Sequence, residues 1–97
     1  MIDPNEIIAT LQHAKPALQK RYRFKSLALF GSYSPNTTVE GNGAIDVMVE
    51  FSEQVGMRFI DLEDELEKLL DHKVALVARK SIDRKYFKTL KQDMVYI

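Results

Sequence analysis

The order of apolar and polar positions predicts helices and short strands along the whole chain. The first helix is expected to begin at Asp3, whose side chain can cap it, with Pro4 in the first turn. Pro16 lacks a backbone N–H, so we expect it to divide this region into two short helices or to kink one, ending near Tyr22. The apolar stripe of the first turns consists of Ile7, Ile8 and Leu11.

Four apolar runs predict the strands of a small sheet. Residues 26–30 form a buried strand that Gly31 ends, residues 73–78 form another, and residues 94–97 are expected to pack as an edge strand. Residues 44–51 show the alternation of a strand with two different sides. One side carries Ile45, Val47, Val49 and Phe51, and the other carries Asp46, Met48 and Glu50.

Two further helices are predicted where apolar residues recur every three or four positions. Residues 57–70 should face the core with Phe59, Leu62, Leu66, Leu69 and Leu70. Residues 83–91 should form a shorter helix, with an inward set of Ile82, Tyr86, Phe87 and Leu90. The strand–helix–strand order from Asp46 to Ala78 predicts a right-handed crossover between parallel strands. The expected fold is therefore an α/β domain with a small mixed sheet.

Composition narrows the classes of protein to which the chain can belong. Its 97 residues suffice for one modest core, so we expect a single domain over residues 1–97. The absence of cysteine excludes a disulfide framework, thiolate chemistry and Cys-ligated zinc. No apolar run approaches the roughly 18–20 residues that span a bilayer, and the Met1 end lacks the order of a signal peptide. We therefore expect a cytoplasmic protein with no membrane partner.

Charge is balanced overall but unevenly distributed. The formal net charge is zero, so the whole chain is not expected to bind polyanions. Acids dominate residues 61–71, and bases dominate the chain after His72. Such a division can serve a partner with its own charge pattern, although two solvated helix faces are the simpler explanation. The basic tail is short and lacks a clustered aromatic platform, so it gives no strong indication of nucleic-acid binding.

The residues that indicate chemistry lie in the middle of the chain. The first apolar strand ends in Gly31-Ser32, a long polar loop follows to Gly43, and Asp46 lies on the next strand. A glycine at a strand end lets the backbone approach a ligand, and the serine hydroxyl and nearby amides can hold phosphate oxygens. An acid on the adjacent strand can hold Mg²⁺ against those oxygens. This pairing is the minimum apparatus for phosphoryl or nucleotidyl transfer.

Two motifs in this order resemble a known family. Leu29-Phe30-Gly31-Ser32-Tyr33, followed further along by Ile45-Asp46-Val47-Met48-Val49-Glu50, is similar to the minimal nucleotidyltransferases of the DNA polymerase beta-like superfamily. The resemblance covers essentially the whole chain and implies an α/β (α+β) nucleotidyltransferase-like fold. Many such proteins are encoded beside a small helical HEPN protein as a toxin–antitoxin pair. The resemblance thus implies an antitoxin that binds a HEPN-type toxin and transfers AMP from ATP to a toxin tyrosine.

The resemblance also implies site residues and cofactors. The nucleotide-binding positions are Gly31, Ser32 and Tyr33. Active members carry Asp-x-Asp on the second strand and a third Asp on the strand after the helix, and these acids bind two Mg²⁺ ions. Here Asp46 is the remaining catalytic and metal-binding acid, while Ala44 and Ala75 occupy the other two positions. Mg²⁺ and ATP are implied by the family, but we expect paired metal binding and efficient transfer to be lost.

Two explanations of these alanines stay open. Pro35, where relatives often carry Arg, and Gly43, where Ser is common, favour natural decay into a binding protein. The alternative is an active nucleotidyltransferase whose acids were replaced deliberately. A third hypothesis is a non-catalytic nucleotide-binding or scaffold module, with a homodimer conceivable through the apolar edge at Met94–Ile97.

The other candidate residues receive simpler interpretations. Glu50 lies four residues along the strand from Asp46, roughly 13 Å away, and therefore cannot replace a missing ligand. Asp71 is expected to end its helix away from the strand tips. His13 and His72 are predicted to be surface or capping residues. Tyr33 has two equal interpretations, namely stacking on a base or partner and packing on the domain.

Overall fold

The computed structural model describes residues 3–34, 43–52 and 58–97. Its helices are α1 (Pro4–Tyr22), α2 (Arg58–Leu70) and α3 (Arg84–Leu90). Its strands are β1 (Phe24–Phe30), β2 (Ile45–Phe51), β3 (Val74–Ala78) and β4 (Val95–Tyr96). Short 3₁₀ turns follow β1, β3 and α3, at Gly31–Tyr33, Arg79–Ser81 and Lys91–Asp93. Most of the predicted polar loop, including Pro35, lies outside the described residues, and no described helix is long and apolar enough to cross a membrane.

The strands form one mixed sheet in the order β3–β2–β1–β4. β2 and β3 are parallel, as the strand–helix–strand order predicts, and β1 is antiparallel to both of its neighbours. The register places Asp46 of β2 between Phe30 of β1 and Ala75 of β3. The predicted edge strand is present as β4, and the predicted mixed α/β class is confirmed.

The sheet has an apolar core on each face. On the α1/α2 face, one side of β2 packs with the buried residues of both helices. The members of this core cluster include Ile7, Leu11, Leu18, Ile45, Val47, Val49, Leu62 and Leu66. On the α3 face, a smaller cluster joins Ala28, Phe30, Met48, Ile82 and Met94, with Phe87 and Leu90 of α3 packed against it. The predicted alternation of β2 is therefore confirmed. Asp46 shares its side of the strand with Met48, so its carboxylate belongs to the α3 face.

α1 is one continuous helix, so a division at Pro16 is wrong, while the alternative of a kinked helix stays a prediction. Its start is as predicted, because Asp3 Oδ1 accepts a hydrogen bond of 2.9 Å from the Asn5 N–H. An internal proline costs a helix about 3 kcal/mol. Each large apolar side chain that α1 buries contributes roughly 1.5–3 kcal/mol, and four residues of α1 are buried, namely Ile7, Leu11, Leu18 and Tyr22. Burial therefore outweighs the interruption, and the proline ring itself lies exposed.

Two residues predicted to face the core do not. Leu69 in α2 is 38% exposed, and Tyr86 in α3 is 57% exposed. Leu69 lies in the last turn of α2, one turn beyond Leu66 of the buried pair Leu62 and Leu66. Tyr86 lies one 100° step around α3 from Phe87, which packs on the sheet together with Leu90. A spacing rule includes such positions, whereas the extent of the actual contact excludes them.

The outer edge of β3 is closed by side chains from α2. The N–H groups of Val74 and Leu76 point away from β2, because successive N–H groups of a strand face opposite edges. Glu67 Oε2 accepts a hydrogen bond of 3.1 Å from Val74, and Glu63 Oε2 accepts one of 2.9 Å from Leu76. These carboxylates satisfy donors that an edge strand would otherwise leave free, and they tie α2 to the sheet.

We expect Glu63→Ala to lower the free energy of unfolding by about 1–2 kcal/mol, because the buried N–H of Leu76 loses its acceptor. Urea denaturation at neutral pH measures this. Asp64→Ala is the matched control, since it removes the same charge from the next, exposed position. Glu63→Gln keeps an acceptor oxygen and should retain most of the stability. Equal losses in the two alanine variants would contradict this role of Glu63.

Candidate functional site

The candidate site begins where β1 ends and the backbone turns at Gly31. Gly31 has a φ of +75°, a conformation that L side chains rarely adopt. A Cβ at this position would collide with Oδ2 of Asp46 and would lie 3.1 Å from its Cγ. Glycine is therefore required twice, by the backbone conformation and by the approach of the carboxylate. The structure brings together Gly31 and Asp46, as the sequence predicts.

Asp46 is half-buried beside this turn. Burial raises the pKa of its carboxyl above the ordinary value of 3.8, because removing the charged form from water is unfavourable. No described side chain donates a hydrogen bond or a salt bridge that would oppose this effect. A cation or a hydrogen-bond donor brought by a ligand would therefore stabilise the charged form of this carboxylate.

Alanines occupy the places beside Asp46 where further acids are expected. Ala75 lies directly opposite Asp46 in the β2–β3 register, so a side chain at position 75 is the neighbour of the carboxylate on β3. Ala44 immediately precedes β2, next to Gly43 with its φ of +94°. The three positions therefore share one end of the parallel strand pair. Methyl groups there leave the carboxylate without a second oxygen ligand from either position.

These residues do not fit a pair of Mg²⁺ ions. Mg²⁺ binds oxygen ligands in near-octahedral geometry, and two such ions need more than one carboxylate between them. Across the parts of the chain that the structure describes, no three or more His, Cys, Asp or Glu side chains are grouped closely enough to hold a metal. Asp46 alone supplies a hard anionic ligand among the three positions at this end of the strands.

Neither Glu50 nor Asp71 lies where it could replace the missing ligands. Glu50 accepts a hydrogen bond of 3.3 Å from Ser26 Oγ, four residues along β2 from Asp46, in agreement with the prediction that it cannot reach. The predicted place of Asp71 is wrong. The connection from α2 enters β3 beside Ile45, so Asp71 lies at the same end of the sheet as Asp46. Asp71 directly follows α2, which covers the α1/α2 face, whereas the Asp46 carboxylate belongs to the α3 face. The exposed Asp71 is therefore on the other side of the sheet from this carboxylate.

Tyr33 of the 3₁₀ turn packs on the domain. Its ring lies against the core of the α1/α2 face and meets the ring of His72 edge-on, with centroids 5.4 Å apart. His72 Nδ1 donates to the Lys73 carbonyl at 3.0 Å, which leaves Nε2 of the neutral ring to accept from the Tyr33 hydroxyl at 3.5 Å. The packing interpretation of Tyr33 is thus the one observed. His72 fastens the turn to the start of β3, a role that its sequence position did not indicate.

Most of the chain matches a known protein family. Residues 11–97 match the nucleotidyltransferase domain family. The chain belongs to this family. The resemblance inferred from Phe30-Gly31-Ser32 and Ile45-Asp46-Val47 is confirmed.

Named relatives of this nucleotidyltransferase domain span nearly its whole length. The chain is 39% identical over 95 residues to MJ0128 of Methanocaldococcus jannaschii, a proposed protein adenylyltransferase, and covers 96% of each sequence. It is 33% identical over 98 residues to protein adenylyltransferase MntA of Thermococcus cleftensis, covering 100% of this chain and 98% of that one.

Solved structures share its fold. A toxin–antitoxin complex crystallised with AMP-PNP aligns at 25% identity with a TM-score of 0.63, over 98% of this chain and 72% of that one. The MNT antitoxin with tri-AMPylated Shewanella oneidensis HEPN toxin aligns at 23% identity with a TM-score of 0.58, over 96% and 66% of the two chains. The second likeness, at this identity, concerns the fold alone.

We expect Gly31→Ala to destabilise the nucleotidyltransferase domain more than Gly43→Ala does. Both variants place a side chain at positive φ, which costs about 1–2 kcal/mol. Only the Cβ at Gly31 collides with Asp46, while the one at Gly43 meets nothing described within 4 Å. Overpacking should add about 1–3 kcal/mol to the loss of stability in Gly31→Ala. Urea unfolding of the two variants measures this difference. In an Asp46→Ala background, the extra destabilisation of Gly31→Ala over Gly43→Ala should largely vanish. If it is unchanged, the carboxylate is not its cause.

Asp46→Asn should make the folded domain more stable at neutral pH. The pKa of Asp46 is raised in the folded state, so the native protein holds this proton more tightly than the unfolded chain. The stability that this tighter proton binding contributes to the folded state is fully present below the unfolded pKa. It is lost as pH rises through the folded pKa. The gain from the neutral amide should therefore shrink as pH falls toward the unfolded value. Urea denaturation from acid to neutral pH tests this, and a gain independent of pH would contradict it.

Proposed function

We propose that this chain is the antitoxin of a HEPN-type toxin, acts in the cytoplasm, and has impaired nucleotide transfer. Support for the partner comes from a solved structure that shares its fold, namely an MNT antitoxin in complex with a HEPN toxin. Support for the chemistry comes from the family, whose named members include protein adenylyltransferases. The observation that carries the impairment is the register that puts Ala75 directly beside Asp46.

The retained part of the site is the turn at Gly31 beside one carboxylate. Gly31 lets the backbone of the 3₁₀ turn lie close to Asp46, and the backbone of this turn, from Gly31 through Ser32 to Tyr33, is the element we assign to ATP. In phosphoryl and nucleotidyl transfer the protein acts mainly by positioning and by stabilising charge. One carboxylate cannot hold the paired Mg²⁺ ions that would supply this charge. Binding of the partner therefore becomes the function that the fold still supports.

The proposal is tested with the HEPN-type protein encoded beside the gene for this chain, mixed with labelled ATP and Mg²⁺. The unchanged chain should form a stable complex and should transfer little or no label. Ala44→Asp combined with Ala75→Asp should create Mg²⁺-dependent ATP affinity, measured by calorimetry, because it restores carboxylates at the two positions beside Asp46. Ala44→Asn with Ala75→Asn is the matched control, with side chains of equal size and no charge.

The outcomes separate the alternatives. Robust label transfer by the unchanged chain would contradict the impairment. Equal ATP affinity in the Asp and Asn pairs would argue against a latent two-metal site at these positions. A chain that forms no complex with the HEPN-type protein, or a gene with no such neighbour, would favour the scaffold hypothesis over an antitoxin.

A further inference from the structure

The exposed side of α3 is a strongly basic surface. It carries Arg84, Lys85 and Lys88, and Lys91 follows in the next turn, all of them exposed. Arg84, Lys88 and Lys91 stand four and then three positions apart, so they form one stripe along the helix. Like charges at this spacing repel one another. We call these four residues the α3 basic surface.

None of these four side chains forms an ion pair with another described residue, although Asp83 and Asp93 lie at the two ends of the surface. The ion pair found among residues 3–34, 43–52 and 58–97 joins Arg21 to Glu65, far from α3 in sequence. Arg79, by contrast, has an internal role, because its guanidinium stacks 3.8 Å from the Phe87 ring centroid and donates to the Ile82 carbonyl. The four cations of the α3 basic surface have no comparable contact.

The acidic helix on the other face is different, because the fold uses its carboxylates. Glu65 accepts from Arg21 and from the Tyr22 hydroxyl, which joins α2 to α1. Glu63 and Glu67 close the edge of β3. Of the two charged helices, α2 therefore has a structural reason for its charge, whereas α3 does not.

The α3 basic surface also adjoins the candidate site. α3 covers the face of the sheet to which Asp46 belongs. In the 3₁₀ turn that follows α3, the Asp93 carbonyl accepts a hydrogen bond from the hydroxyl of buried Ser34, which comes directly after the Gly31–Tyr33 turn. A protein held on α3 is thereby placed on the nucleotide side of the sheet.

We propose that the α3 basic surface is where the HEPN-type partner docks, through an acidic patch of that protein. This inference rests on the proposed function. α3 is seven residues long, about 10 Å, and it is bounded by acids, because Asp83 caps its start and Asp93 lies in the 3₁₀ turn that follows it. A compact acidic patch matches this footprint, whereas an extended polyanion such as RNA would meet repulsion beyond it. Electrostatic complementarity of this kind steers association and fixes the orientation of the complex.

The test is charge reversal with a matched control. Lys85→Glu combined with Lys88→Glu should weaken binding of the HEPN-type protein about tenfold or more and flatten its salt dependence. Lys25→Glu combined with Lys68→Glu makes the same change in net charge at exposed positions on β1 and α2. That control should bind within about threefold of the unchanged chain, since it lies outside the proposed surface. Far-ultraviolet circular dichroism verifies that both variants are folded.

Failure of this inference differs from failure of the proposed function. If the unchanged chain binds the HEPN-type protein and both reversals weaken binding equally or not at all, the α3 surface is not the docking site, although the antitoxin assignment stands. If the α3 reversal affects only binding of a single-stranded RNA oligonucleotide, the surface serves nucleic acid and the inference is overturned. If the unchanged chain does not bind the HEPN-type protein, both proposals fail together.

Discussion

The close approach of the Gly31 backbone to the Asp46 carboxylate is the constraint on which the candidate site depends. It requires that β1 end opposite Asp46, that the chain turn there at positive φ, and that no Cβ stand between them. The paired strands supply the first condition, and glycine supplies the other two. The carboxylate consequently sits half-buried with a raised pKa, in a place where a ligand and not the fold would stabilise its charge.

The alanines beside Asp46 leave this framework undisturbed. A residue at position 75 lies on a strand whose backbone is fixed on one side by β2 and on the other by α2. Replacing an acid there removes a ligand and leaves the scaffold intact, because the core on each face is built from other positions. If transfer is impaired as we propose, the nucleotidyltransferase fold has outlasted the reaction because binding of another protein still requires it.

Local patterns predicted the elements and the pairing of Gly31 with Asp46, and they failed where tertiary contacts decide. Alternation in β2 identified the side that bears Asp46, since period-two burial follows directly from strand geometry. Pro16 does not divide α1, one of the two predicted alternatives, because the burial that keeps the helix continuous comes from distant residues. Asp71 was misplaced because only the parallel register shows which end of the sheet the α2–β3 connection enters. The Tyr33–His72 contact joins residues 39 positions apart, beyond the reach of any local rule.

The carboxylates of Glu63 and Glu67 have a consequence for assembly. With the outward N–H groups of β3 already bonded, another strand cannot add there without displacing both carboxylates. The opposite edge of the sheet, at β4, is only two residues long. A sheet that can grow from one side alone is able to close into a pair of subunits but not to propagate as a filament. The two glutamates therefore act against open-ended polymerisation of the domain.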